Sequence, residues 1–134
     1  MTKTPPRKIA VIGDRFMLSS MFEEALRERC KLVDIAITTH DFPWPDQPME
    51  HGYAVQGMDG LKEYMGSADE VVELTGDAEV LVTHLAPLSA SIMERLPALK
   101  LVAVSRGGPV NIDMKAARER GITVVNTPGR NASA

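Results

Sequence analysis

The chain reads as an α/β protein: a doubly wound sheet of five parallel strands with helices laid over both faces. Three observations lead there. Short continuous apolar runs recur along the chain, "KIAVI", "LVDIAI", "EVLVT", "LKLVAV" and "ITVV". Segments of helical periodicity separate most of them. The runs do not alternate polar with apolar, which is how strands look when both faces of a parallel sheet are covered.

The elements follow in order. Lys8 to Ile12 is the first strand. Phe16 to Arg29 reads as a helix, with Met17, Met21, Ala25 and Leu26 near helical spacing and Glu23, Glu24, Arg27, Glu28 and Arg29 on the wet face. Leu32 to Ile37 is the second strand. From Thr39 to Asp59 the pattern breaks: Pro43, Pro45, Pro48, Gly52 and Gly57 predict a long irregular connection. Ser67 with Glu70 three residues on forms a capping box, so a helix runs from Ser67 to Leu74 and closes at Gly76. Glu79 to Thr83 is the third strand. Ser89 caps a short helix over Ala90 to Leu96, in a serine-to-glutamate frame, and Pro97 ends it. Leu99 to Val104 is the fourth strand, Asn111 to Arg120 a helix ended by Gly121, and Ile122 to Val125 the fifth strand. Asn111 and Asp113 are candidate helix caps. Right-handed crossovers then give a flavodoxin-like strand order, 2-1-3-4-5.

Composition narrows the function classes. The 134 residues suit one domain with a core, and 44% hydrophobic with 25% charged residues is ordinary globular usage. A net charge of -3 gives no basic face for nucleic acid or anionic membrane, and no apolar run approaches a bilayer span. The residues from Met1 to Lys8 carry no secretory signal pattern. Cys30 is the one cysteine, so no disulfide framework or thiolate metal site is expected, and a reducing, cytoplasmic setting is. His40, His51, Asp41 and Asp46 show no metal-ligand spacing. The eight methionines are read as core filler.

In a doubly wound sheet, ligands bind beyond the carboxyl ends of the strands. That rule collects Gly13-Asp14-Arg15, then His84-Leu85-Ala86, then Arg106-Gly107-Gly108-Pro109, then Asn126-Thr127-Pro128-Gly129. The pair Gly107-Gly108 leads toward a helix opening at Asn111. Amides there, with the helix dipole behind them, would favour an anion such as a carboxylate, and Arg106 adds a guanidinium fork. The same glycines could simply make a tight turn, and His84 could be a solvated side chain rather than a substrate donor.

The stretch "SRGGPVNIDMKAARERGITVVNTPGRNASA" resembles the corresponding segment of the D-isomer-specific 2-hydroxyacid dehydrogenases, the family of phosphoglycerate, glycerate and formate dehydrogenases. The likeness rests on Gly107-Gly108, Asn111-Ile112-Asp113, Asn126-Thr127-Pro128 and Asn131, with "DAEVLVTHLAPLSASIMERLPALKLVAV" fitting the approach to that loop. It is specific from about Asp77 to Ala134, matches mainly in pattern before that, and does not extend to the Thr39 to Asp59 connection.

The resemblance implies a flavodoxin-like substrate domain over residues 1–126 and a hinge over 127–134 leading to a nucleotide-binding domain. It implies that main-chain amides of Gly107 and Gly108, with Arg106 beside them, hold the carboxylate of a small 2-hydroxy or 2-oxo acid, and that His84 and Leu85 face the same cleft. The family's G-x-G-x-x-G loop and its arginine, glutamate and histidine belong to the second domain, and no G-x-G-x-x-G opens a helix here. NAD or NADP is therefore expected in the intact enzyme, a homodimer, and no cofactor on this fragment. Alone, the fragment is expected to be inactive and able to self-associate. Two alternatives stay open. One is a stand-alone carboxylate-binding or regulatory module. The other is a phospho-receiver domain, which would need an acceptor aspartate where Thr83-His84 stands and a lysine where Asn126 stands.

Overall fold

The computed structural model describes residues 5–44, 61 and 64–127. Along the chain run β1 (Arg7–Gly13), α1 (Ser19–Arg29), β2 (Ile35–Asp41), α2 (Ala68–Thr75), β3 (Val80–Thr83), α3 (Ala90–Glu94), β4 (Leu101–Val104), α4 (Met114–Glu119) and β5 (Thr123–Val125). The five strands form one sheet in the order β2-β1-β3-β4-β5, and every pairing is parallel. The fold class and strand order are those expected from the sequence.

Strand residues alternate between two cores, as the two-residue period requires. Ala10, Ile12, Leu81, Val102 and Val104 point into the larger core, which α2, α3 and α4 close with Val71, Ile92, Met93, Ala116 and Ala117. Ile9, Val11 and Val82 point the other way, where Phe22 and Leu26 of α1 pack against them. Each large aliphatic side chain sealed this way contributes about 1.5–3 kcal/mol. Val125 remains 47% exposed. Between Phe22 and β5 a depression of about 210 Å³ is lined by Val82, Ala103, Val104 and Val125. Among the described residues, no helix is long and apolar enough to cross a membrane.

Several boundaries differ from the sequence expectation, each for a local reason. Helix α1 begins at Ser19 rather than Phe16, because Asp14 folds residues 14–17 into a turn: Phe16 N–H and Met17 N–H both donate to its Oδ1, and its own N–H reaches the Met17 carbonyl. The half-buried apolar stripe of α1 is Phe22 and Leu26, and Met21 is 57% exposed. Strand β2 lies three to four residues later than expected. Leu32 and Val33 are 100% and 52% exposed, and the polar run Thr38–Thr39–His40–Asp41 completes the strand. Pairing with β1, from Arg7 opposite Ile35 to Gly13 opposite Asp41, sets this register. An edge strand needs only one covered face, so the apolar-run rule misplaces it. Thr39 to Asp41 thus belong to the sheet, and residues 45–59 of the expected irregular connection lie outside the described residues, as do residues 128–134 of the expected hinge.

The caps behave as the residue types dictate. Ser67 accepts from Glu70 N–H while the Glu70 carboxylate accepts from Ser67 N–H, the full capping box. Gly76 ends that helix with φ 55°, and Gly121 turns at φ 71° after α4. Ser89 caps α3 through Ile92 N–H, so the residue three along is isoleucine and no reciprocal glutamate bond forms. Helix α3 stops at Glu94, short of the expected Leu96, and β4 starts at Leu101 rather than Leu99.

Candidate functional site

The carboxyl ends of β1, β3, β4 and β5 share one rim. At β1, Asp14 is 1% exposed and both its oxygens are engaged: Oδ1 takes the N–H groups of Phe16 at 2.8 Å and Met17 at 2.7 Å, and Oδ2 lies 2.9 Å from His84 Nδ1. Beside it, Asp41 at the end of β2 takes Ser19 N–H at 2.6 Å and Ser19 Oγ–H at 3.0 Å. Leu18 stands at the helix N-cap and offers no side-chain bond. The turn before α1 is therefore served by Asp14 and the first N–H of α1 by Asp41, so an external anion arriving at this helix end would meet two of the protein's own carboxylates. Gly13 permits the approach, since a Cβ there would sit 2.5 Å from Ser19 N and 2.6 Å from both Asp41 Oδ1 and Met17 O.

The bend after β3 is held from below. Thr83 Oγ1 donates to the Ile12 carbonyl at 2.7 Å and accepts Ala86 N–H at 3.2 Å. Asn111, 0% exposed, donates Nδ2–H to the Ala86 carbonyl at 2.8 Å and to the His84 carbonyl at 3.4 Å. Its main chain is bound as well: Leu88 N–H donates to the Asn111 carbonyl at 2.9 Å, next to the parallel bridge between Leu88 and Ile112. Met65 N–H donates to the Leu85 carbonyl at 3.0 Å.

The segment after β4 is fastened through its carbonyls. Thr127 N–H donates to Arg106 O at 3.0 Å, Asn126 Nδ2–H to Gly107 O at 3.0 Å, and Val110 N–H to Gly108 O at 2.8 Å. Among the described residues, nothing accepts from the N–H groups of Gly107 and Gly108. Both glycines are exposed, and a Cβ on Gly108 would meet nothing within 4 Å. Arg106 Nη1 donates to Asn111 Oδ1 at 3.3 Å. One buried amide side chain thus joins the His84 bend to the Arg106–Gly108 loop.

The rim brings four of the five residues singled out in the sequence into one bonded neighbourhood: His84, Arg106, Gly107 and Gly108. Leu85 joins it only by its main chain, because its side chain is 3% exposed and packs in the larger core. The helix expected to open at Asn111 opens at Met114, six residues long, with Asp113 as its N-cap accepting Ala116 N–H at 3.0 Å. The glycine amides therefore do not sit on that helix dipole, and the cap site itself carries a carboxylate. Asn111 is a buried strut rather than a cap. Sequence reasoning missed the roles of Asp14 and Asn111. Asp14 was legible only as a rim position, and nothing local marks the asparagine of "VNID" as buried.

At the opposite end of the sheet, a depression of about 590 Å³ is lined by Arg7, Lys8, Asp77, Glu79 and Lys100. Its charges are largely matched internally, by Arg7 with Glu79 at 2.9 Å and Lys8 with Asp77 at 2.6 Å. The hydrogen bond from Lys8 holds the Asp77 carboxyl below its ordinary value.

Comparison with known proteins sharpens the picture. The family model described as "D-isomer specific 2-hydroxyacid dehydrogenase, catalytic domain" matches residues 47–134. A glycerate dehydrogenase of Methylorubrum extorquens is 40% identical over 67 residues, which are 48% of this chain and 21% of that protein. A glyoxylate reductase of Korarchaeum cryptofilum is 43% identical over 60 residues, 44% of this chain and 18% of that protein. The chain thus matches about a fifth of the length of these curated relatives. The NAD+-bound 3-phosphoglycerate dehydrogenase of Entamoeba histolytica superposes with a TM-score of 0.66 over 96% of this chain and 35% of its own, at 19% identity, a likeness of fold.

Proposed function

This chain belongs to the D-isomer-specific 2-hydroxyacid dehydrogenase family, and on that premise we propose that it forms the substrate-side wall of such an enzyme, binding the carboxylate of a small 2-hydroxy or 2-oxo acid at Arg106, Gly107 and Gly108, with His84 and the main chain of Leu85 alongside. The observation that carries the reading is the pair of main-chain N–H groups at Gly107 and Gly108, exposed on the rim and without an acceptor among the described residues. Hydrogen bonds to an ionised oxygen are roughly twice as strong as neutral ones, so a carboxylate is the natural occupant. Arg106 adds positive charge at the same place. Asn111 holds the two sides of the rim in register, which limits the ordering that binding must impose. The relatives' names support the substrate class, since one is a glycerate dehydrogenase and another a glyoxylate reductase.

In the intact enzyme the reaction is oxidation of the 2-hydroxy acid to the 2-oxo acid, with hydride passing to NAD or NADP. The described residues do not fit that cofactor. No glycine-rich loop opens a helix, and the Ser19 N–H that begins α1 is already taken by the Asp41 carboxylate, with Asp14 in the turn before it, so a pyrophosphate would be repelled there. The dinucleotide then belongs to a second domain. This chain's own residues bind and orient the acid. A cytoplasmic setting and a homodimeric intact enzyme go with the same reading.

The test is a ¹H–¹⁵N titration of the chain with D-lactate and with pyruvate at millimolar concentrations. The Gly107 and Gly108 amide resonances are expected to shift saturably. Shifts confined to other residues, or none, would overturn the site. A stand-alone carboxylate-binding module gives the same titration, and the full gene product separates the two: only the dehydrogenase oxidises NADH or NADPH when a 2-oxo acid is added.

A further inference from the structure

His84, partly exposed, pairs with the buried Asp14, and the reading above gives that pair no task. Asp14 Oδ1 is saturated by Phe16 and Met17 N–H, which leaves Oδ2, 2.9 Å from His84 Nδ1. A carboxylate has no proton to give, so Nδ1 must be the donor. In the neutral ring the other nitrogen, Nε2, is then a bare acceptor. Nε2 has no partner among the described residues, and the His84 side chain keeps 15% of its surface exposed. The His84 carbonyl also receives a long 3.4 Å contact from Asn111 Nδ2.

We infer that Asp14 is a positioning residue that locks His84 in the Nδ1–H tautomer, so that Nε2 accepts the hydroxyl of a bound acid and the rim prefers a 2-hydroxy acid to its 2-oxo counterpart. The inference rests on the carboxylate site proposed above. A 2-hydroxyl can donate to Nε2. A 2-oxo oxygen brings only lone pairs against the lone pair already there. One hydrogen bond made or refused is worth about tenfold in affinity.

Asp14→Asn tests this with little change of shape. The Asn Oδ1 keeps the bonds from Phe16 and Met17. Its Nδ2 takes the place of Oδ2 and must donate to Nδ1, which forces the proton onto Nε2. Ring ¹⁵N spectra, taken with the imidazole neutral and assigned against His84→Gln, are expected to show Nδ1 protonated and Nε2 bare in the wild type, and the reverse in Asp14→Asn. D-Lactate, whose hydroxyl can accept as well as donate, is expected to bind the variant about as well as the wild type, while pyruvate gains about tenfold and propionate, which has no 2-oxygen, is unchanged. An Nε2–H tautomer in the wild type, or an unaltered lactate-to-pyruvate ratio in the variant, overturns the inference. If Asp14→Asn does not fold, the wild-type ring spectrum and the wild-type lactate-to-pyruvate ratio decide it. Failure of all three acids to bind the wild type sinks the carboxylate site instead, and the ring spectrum still decides whether Asp14 positions His84.

Discussion

Replacing Asn111 by alanine should loosen the rim by an amount that the surroundings allow to be worked out. The side chain is 0% exposed and so is Ala86, whose carbonyl receives the 2.8 Å bond, so water cannot take over when the amide is removed. A buried carbonyl left without its donor costs about 1–3 kcal/mol. The space vacated adds about 1 kcal/mol, because a packed interior collapses only in part. The 3.4 Å contact to the His84 carbonyl and the 3.3 Å bond from Arg106 are long and add little. The expected loss is about 2–4 kcal/mol, a fall in Tm on the order of 10 °C for a domain of this size. Urea unfolding followed by far-UV circular dichroism reads it as a lower midpoint with an unchanged slope. Asn111→Asp sharpens the test. It keeps an acceptor for Arg106 but turns a second acceptor against the Ala86 carbonyl, so it should be less stable than the alanine variant. An alanine variant within 1 kcal/mol of wild type, or an aspartate variant as stable as wild type, would refute the strut.

Other perturbations have equally definite outcomes. Gly13→Ala brings a Cβ to 2.5–2.6 Å from backbone atoms and the Asp41 carboxylate, and should cost about 3 kcal/mol by urea unfolding. Gly108→Ala adds its methyl to open space, so stability should stay within about 0.5 kcal/mol and, the N–H being retained, acid binding should persist in the amide titration. Ser67→Ala removes one half of the capping box and should cost about 1 kcal/mol, seen as a lower thermal midpoint. Lys8→Met should return the Asp77 carboxyl upward toward its ordinary value in an NMR titration. Because the folded-state value is depressed, the Lys8 contribution is present above the unfolded value of 3.8 and fades as pH falls through the folded one.

The sheet order was legible because β1, β3 and β4 are interior strands whose apolar runs announce themselves, the edge strand β5 still carries the short apolar run "TVV", and Ser67, Gly76 and Gly121 punctuate the helices as their chemistry requires. Strand β2 was shifted because its register comes from β1: "TTHD" is strand only because Gly13 and its neighbours lie opposite, and no window centred on residues 38–41 contains that information. The candidate site was legible where it depends on backbone, at Gly107 and Gly108. It was illegible where it depends on meetings between distant residues. Asp14 and His84 are 70 positions apart, and Asn111 meets Ala86 across 25. Helix α4 was extended too far back because "VNID" satisfies helix-start rules that tertiary bonding to Leu88 overrides.

The carboxylate of Asp41 that closes the first turn of α1 arrives from 22 residues downstream. That helix cannot be properly started until the second strand has docked, so its ordering is a report on sheet assembly rather than a local event. A peptide spanning only residues 14–30 should fray at its front end in water, and in the whole chain the amides of Ser19 and its neighbours should gain exchange protection together with β2 rather than ahead of it.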